Sequence, residues 1–285
     1  MYSFSILDKP AQPVIRNSLA DRDMLCSFPV ACFNFYDNGN VVEDAPVCGL
    51  TLRAGGSMRF RWNETNPVRD CLLDKVKESC VEKKTFVPVE LNHTKIVYDI
   101  SSAGDTWGKV GDGIITVNKG LVPVVTVADC VPIYIYDKRT GVFGVVHSGW
   151  KGTGIGAEAI KLAGEKYGSE ASDFYVVIGP SIRSCCYIVN EERAEYFSRC
   201  FTPECISVLE EGASVNWNNG NGRLYRLALD KANRAMFRNY GVPDSHIAVC
   251  SDCTCCNDIF GSNRRETGLS GRPDSFTVMA AFILA

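Results

Sequence analysis

The stretch VADCVPIYIYDKRTGVFGVVHSGWKGTGIG, residues 127–156, sets Cys130 ahead of one apolar run and His147 at the end of another, then turns abruptly to glycine. The two β-rich runs flank DKRTG, a five-residue loop of hairpin type. Pairing them around Asp137 to Gly141 brings Cys130 and His147 together at the open end of the hairpin. A cysteine and a histidine held there can share a metal ion or a proton.

Upstream, MLCSFPVACFNFYD reads as a strand and APVCGLTLRAGGSMRFRWN as a strand leading into a Gly-Gly turn. NPVRDCLLDKVKESC follows as an amphipathic helix, with Asn66 as cap and Pro67 in its first position. TFVPVELNHTKIVYDI returns to strand, and DGIITVNKGLVPVVTVADC supplies two β-rich runs around NKG. Downstream, GIGAEAIKLAGEKYG carries Ile155, Ala159, Ile160 and Leu162 at helical spacing, with Gly168 as its stop and the strand FYVVIGP after it. YRLALDKANRAMFRNYG and then HIAVC repeat that order. Hairpins mixed with crossovers predict an α+β protein with mixed sheets covered by helices.

The 285 residues carry no fixed-period repeat and no long linker, which predicts a single domain over 1–285. A net charge of -3, with Lys and Arg scattered, gives no footprint for nucleic acid or an acidic membrane. No apolar run approaches the ~20 residues needed to span a bilayer, and the N-terminus lacks a basic segment followed by a long apolar one, so the expected location is cytoplasmic. Two short sequons, at Asn63 and Asn92, are the one hint of secretion. The 14 cysteines exceed what a chain this long needs as staples, so most should be free thiols.

Only three histidines occur, His93, His147 and His246. His93, in LNHTK at another strand's end, would add a third ligand to Cys130 and His147. Three protein ligands of imidazole and thiolate type with a fourth position open is the pattern of a catalytic zinc site. The blander alternative makes His147 a hydrogen-bonded rim residue and Cys130 a buried thiol. His246, after a Pro-containing turn, reads as a surface residue. In CSDCTCC, Cys250, Cys253 and Cys256 are each separated by two residues, like part of an iron–sulfur run without its continuation. Cys185 and Cys186 could complete a four-thiolate site from a distance, although packed free thiols are the preferred reading.

LRAGGS (52–57), WKGTGIG (150–156) and SNRRETGLSGR (262–272) each combine a cation with glycines. Glycines let backbone N–H groups approach an anion, and a helix starting near Gly154 would add its positive end. Each alone is more often a turn with a solvated charge, and none matches a P-loop or dinucleotide fingerprint.

Taken in order, LTLRAGGS, LNHTKIV, DGIITVNKGLVPVVTVADCVPI, VHSGWKGT, GPSIRSCCYIV, DCTCC and FGSNRRETGLSGR resemble the YfiH-like, or laccase-domain, family, also called multicopper polyphenol oxidoreductases. The resemblance covers about 220 residues and leaves roughly the first 45 divergent. It implies a four-layer α/β/β/α fold, related to that of deamidating toxins that use a Cys-His pair. It further implies a zinc ion held by His93, Cys130 and His147. The activity implied is that of a purine nucleoside phosphorylase acting on adenosine, inosine, guanosine or methylthioadenosine with phosphate, and of an adenosine deaminase.

Phosphorolysis needs cations around the anion that attacks the anomeric carbon, for which Arg53, Lys151, Arg264 and Arg265 are the candidates. Deamination would use a zinc-activated water with an acid or base nearby, for which Asp129 stands next to Cys130. The chain departs from the family pattern at Leu91, which replaces the glutamine of Gln-x-His, and at Lys151, which replaces an arginine and weakens a bidentate phosphate grip. The rivals are a cysteine hydrolase using Cys130 and His147 and a non-catalytic zinc-stabilised binding protein. A copper polyphenol oxidase is disfavoured, because three histidines cannot supply a multicopper cluster.

Overall fold

The computed structural model describes residues 29–71, 74, 84–210 and 223–285, together with the backbone of 2–3, 6–7 and 14–16. In chain order the first elements are β1 (Tyr2–Ser3), β2 (Ile6–Leu7), β3 (Val14–Arg16), β4 (Val30–Phe33), β5 (Tyr36–Asp37), β6 (Asn40–Val41) and β7 (Val47–Thr51). A helix, α1, opens at residue 67, and β8 (Thr85–Pro88), β9 (Val97–Asp99), β10 (Gly113–Thr116), β11 (Leu121–Val127), β12 (Val131–Asp137) and β13 (Phe143–Ser148) follow. Then come α2 (Ile155–Tyr167), β14 (Phe174–Ile178), β15 (Ile188–Asn190), α3 (Glu191–Cys200), β16 (Ile206–Val208) and β17 (Leu224–Leu227). The chain closes with α4 (Leu229–Tyr240), β18 (Ile247–Cys250), α5 (Asn263–Ser270) and β19 (Met279–Leu284).

Two seven-stranded mixed sheets dominate, in the orders β1-β3-β4-β7-β19-β11-β8 and β2-β18-β14-β12-β13-β10-β9. The period of two along each strand explains why they stack. On β19, Met279, Ala281 and Ile283 face the core between the sheets, while Ala280, Phe282 and Leu284 pack on the opposite face of the first sheet. On β12, Tyr134 points into the same inter-sheet core and donates its hydroxyl to the Gly49 carbonyl at 2.8 Å. Val131, Ile133 and Ile135 point the other way, onto α2, α3 and α4. With both faces covered, these strands read as continuous apolar runs. Gly49 is glycine because a Cβ there would stand 2.3 Å from Cζ of Phe282, whose ring covers that spot.

The α+β class, the mixed sheets and the helical cover match the expectation. The hairpin β12–β13 forms in the expected register, with Pro132 opposite His147 and Gly141 N–H donating to the Asp137 carbonyl at 2.9 Å. α2 ends at Gly168 in a left-handed conformation, as its sequence predicts. Helix α1 begins as expected, with Asn66 Oδ1 accepting from Arg69 N–H at 3.1 Å, while the remainder of the expected helix, Asp74 apart, lies outside the described residues. So do residues 24–28 of the first expected strand.

Several expectations change: within its described residues MLCSFPVACFNFYD is not one strand, since β4 ends at Phe33 and β5 pairs with β6 in a separate sheet. TFVPVELNHTKIVYDI is not one strand: β8 joins the first sheet, parallel to β11, and β9 joins the second, parallel to β10. The NKG turn likewise passes the chain from the second sheet (β10) to the first (β11). His246 is no surface residue: its ring stacks on Tyr175 at 4.2 Å and its side chain is only 15% exposed. Among the described residues no helix is long and apolar enough to cross a membrane.

Candidate metal centre and its cavity

The hairpin and the crossover between the sheets bring His93, Cys130 and His147 together, with their ligand atoms all within 4.8 Å of one another. His147 is the inner member, on β13 and 2% exposed, while Cys130 sits half-buried just before β12. His93 occupies the β8–β9 crossover and is exposed, its ring centroid 4.9 Å from that of His147. It therefore reaches the site from a loop instead of a strand end, with a positive φ of 54°.

Asp112, fully buried, explains that unusual backbone. Its carboxylate accepts the His93 N–H at 3.0 Å, the Thr94 N–H at 2.6 Å and the Thr94 hydroxyl at 2.6 Å. One of its oxygens also lies 2.8 Å from Nδ1 of His147, and its carbonyl accepts the His147 N–H at 2.7 Å. A single carboxylate thus sets the turn carrying one histidine and the ring of the other. With Nδ1 committed to Asp112, Nε2 of His147 is left as the ligand atom, the usual outer support of a metal-bound histidine. Sequence reasoning missed Asp112; its signal was a lone acid against the apolar strand GIIT.

The donor set fits a metal ion. Gly149 leaves the space: a Cβ there would lie 3.0 Å from Nδ1 of His93 and 3.2 Å from Sγ of Cys130. Burial pushes the Cys130 thiol up, but the His147 and His93 imidazoles outweigh it and hold the thiol down at about 6. Burial opposes protonation of His147, yet Cys130 and Asp112 raise it to about 9. Near neutral pH these opposite shifts favour a thiolate beside an imidazolium in the metal-free site.

The three side chains open into a cavity of about 440 Å³. Its walls include Arg59, Arg61 and Arg264, the aromatic side chains of Phe60, Trp150, Tyr187 and Phe276, and the carboxylates of Asp129 and Asp274. Of the expected phosphate ligands only Arg264 is among the lining residues. Arg53 belongs to a separate depression with Leu52, Asp258 and Thr277. Lys151 is exposed, with Nζ 5.4 Å from the centre of the Trp150 ring. Arg265 is occupied structurally: its guanidinium donates to the carbonyls of Thr254, Cys255, Asn257 and Phe260.

Arg59 and Arg61 were overlooked, although RFRW alternates cations with aromatic rings. Asp129, expected as an acid or base, has both oxygens engaged, by Thr254 Oγ1 at 2.7 Å and by Arg264 N–H at 2.6 Å. Through these two bonds it joins the loop before Cys130 to the start of α5.

A model of the multi-copper polyphenol oxidoreductase laccase family matches residues 61–280, and the chain belongs to that family. Purine nucleoside phosphorylase YlmD of Geobacillus stearothermophilus is 36% identical over 168 residues, 58% of this chain and 58% of that protein. The Bacillus subtilis protein of the same name is 37% identical over 174 residues and matched over 59% of its length. The chain therefore spans somewhat over half the length of these relatives. Staphylococcus aureus YlmD is 29% identical over 256 residues, covering 83% of this chain and 92% of that one. The crystal structure of YlmD from G. stearothermophilus superposes with a TM-score of 0.70 at 27% identity, over 88% of this chain and 96% of that one. YfiH of Bacillus licheniformis gives 0.71 at 27% identity, over 84% and 93%.

Proposed function

We propose that this protein is a zinc-dependent purine nucleoside phosphorylase that also deaminates adenosine. The observation carrying the reading is a two-histidine, one-cysteine ligand set opening on a cavity lined by arginines and aromatic rings. That donor set suits zinc and leaves a fourth position for substrate or water. The relatives named purine nucleoside phosphorylase support the substrate class. Substrates are adenosine, inosine, guanosine or methylthioadenosine together with phosphate. A cavity of this size takes a ligand of that class, since such pockets run from about 300 to 1,000 Å³.

The walls divide the work. Arg59, Arg61 and Arg264 hold phosphate for attack on the anomeric carbon and offset the charge as the purine leaves. Phe60, Trp150, Tyr187 and Phe276 offer flat apolar faces to the base. Asp274, the lining carboxylate that is not spent on the scaffold, exchanges the proton expected earlier of Asp129. A bound zinc ion would supply Lewis acidity at the inner end of the cavity. Cysteines used as metal ligands or packed thiols, with no disulfide among the described ones, fit a reducing, cytoplasmic setting.

The test is to give zinc-loaded protein adenosine and phosphate and to follow adenine, ribose 1-phosphate and inosine. Formation of these products is expected, and absence of all of them overturns the reading. A second reading, cysteine hydrolysis by Cys130 and His147, draws on the thiolate–imidazolium pair of the metal-free site. Activity that survives chelation favours it. A binding role without turnover would have His147→Ala unfold the chain instead of leaving it folded and inactive. Copper oxidase chemistry is not proposed, because three histidines cannot build a multicopper cluster.

A further inference from the structure

Far along the chain from the first centre, two loops bring four cysteines to one point. Cys185 and Cys186 lie between β14 and β15; Cys253 and Cys256 lie between β18 and α5. Their sulfur atoms are all within 4.8 Å of one another. Sγ of Cys256 is 3.6 Å from that of Cys185 and 3.3 Å from that of Cys186. We propose that these four side chains form a second, structural metal centre that binds one zinc ion through four thiolates.

The spacing fits a single ion held tetrahedrally by four thiolates. Zinc–sulfur bonds of about 2.3 Å arranged tetrahedrally give sulfur–sulfur edges of about 3.8 Å, close to the separations here. A disulfide needs about 2.05 Å between two sulfurs and leaves two of the four thiols unaccounted for. An iron–sulfur cluster interposes iron and sulfide atoms between its cysteines and holds them farther apart. Cys250, which completed the iron–sulfur-like run in the sequence, lies instead in β18 as part of the core between the sheets.

The surroundings are built to hold such a centre. Cys253 and Cys256 have the Cys-x-x-Cys spacing of structural zinc turns. The Arg183 N–H points at Sγ of Cys253 at 3.4 Å, which stabilises a thiolate. Thr254 N–H donates to the Ser181 carbonyl at 3.1 Å, and Ser181 and Cys253 form a bridge between the two loops. Two guanidinium groups flank the site through its backbone: Arg226 donates to the Cys185 carbonyl and Arg264 to that of Cys186, each at 3.0 Å. Their charge offsets the net negative charge of a zinc ion on four thiolates. The loops also carry Tyr187 and lead into Arg264, both on the cavity wall, so the ion would clamp one side of the first site.

The full chain, purified reduced and reconstituted anaerobically with zinc alone, should hold two ions by mass spectrometric metal analysis. Cys253→Ser with Cys256→Ser should reduce this to one, and His93→Ala with His147→Ala should also leave one. Cobalt in the histidine variant should show the intense sulfur-to-metal absorption of a tetrathiolate site. If the serine variant does not fold, mercurial titration of the native chain decides, with one ion released only as four thiols react. The proposal is overturned by one ion in the native chain with these thiols reacting freely, by iron with acid-labile sulfide, or by a mapped disulfide. None of these outcomes depends on nucleoside turnover, so this inference and the proposed function fail separately.

Discussion

Asp112 carries more of the candidate site than any ligand does, because it holds the His93 turn and the His147 ring together while fully buried. Asp112→Asn keeps the shape but weakens the grip on His147 Nδ1–H and on the two N–H groups. Zinc affinity should fall by about 10–100-fold with the fold retained, as chelator competition and circular dichroism will show. The ion pair it supports predicts a pH dependence as well. With Cys130 held at about 6, the thiolate form prevails above that value and is lost as pH falls through it. In the metal-free chain, alkylation mapped to Cys130 should reach half its maximal rate near that pH, not near the ~8.5 of an ordinary thiol. Bound zinc should suppress it.

Among the elements, α2 and α4 meet where Gly156 faces Phe237. A Cβ on Gly156 would lie 2.2 Å from Cζ of that ring, which is fully buried. Ala gains about 1 kcal/mol in helix propensity over Gly, whereas overpacking costs about 1–3 kcal/mol. Gly156→Ala should therefore destabilise on balance, whereas Gly268→Ala in α5, where a Cβ meets nothing within 4 Å, should stabilise by about 0.5–1 kcal/mol. Urea unfolding midpoints moving in opposite directions will check the pair. In sequence Gly156 opens a helical pattern and Gly268 sits in the cation-and-glycine run SNRRETGLSGR, and neither pattern reveals the opposing ring that makes the difference.

For the whole molecule, the cavity exists because segments from both sheets and from α5 converge, around residues 59–61, 126–130, 147–150 and 263–264. Arg59 is exposed enough that its contact with Glu64, side chains 41% exposed on each side, adds little stability. Arg59→Ala should leave thermal unfolding nearly unchanged. If Arg59 holds phosphate, the lost charge-assisted hydrogen bond is worth about 1.5–3 kcal/mol, so KM for phosphate should rise by at least about tenfold. A smaller change in kcat is expected; steady-state kinetics with phosphate varied will separate the two.

Local pattern alone determined the β12–β13 hairpin, the start of α1, the extent of α2 and the mixed α+β class, since each depends on residues within a few positions of one another. The same short range made the meeting of Cys130 and His147 legible, because a five-residue loop closes the hairpin. The route of the chain between the sheets was decided only in three dimensions. A strand of period two looks the same whichever sheet it joins, so the separation of β8 from β9, and of β10 from β11, left no local mark. The assignment of cations also lay beyond local pattern. Arg265 and Arg264 are neighbours with the same chemistry, yet Arg265 turns to four carbonyls while Arg264 lines the cavity. The four-cysteine group was visible as composition and spacing, but β14–β15 and β18–α5 had to pack side by side before four sulfurs could share one point.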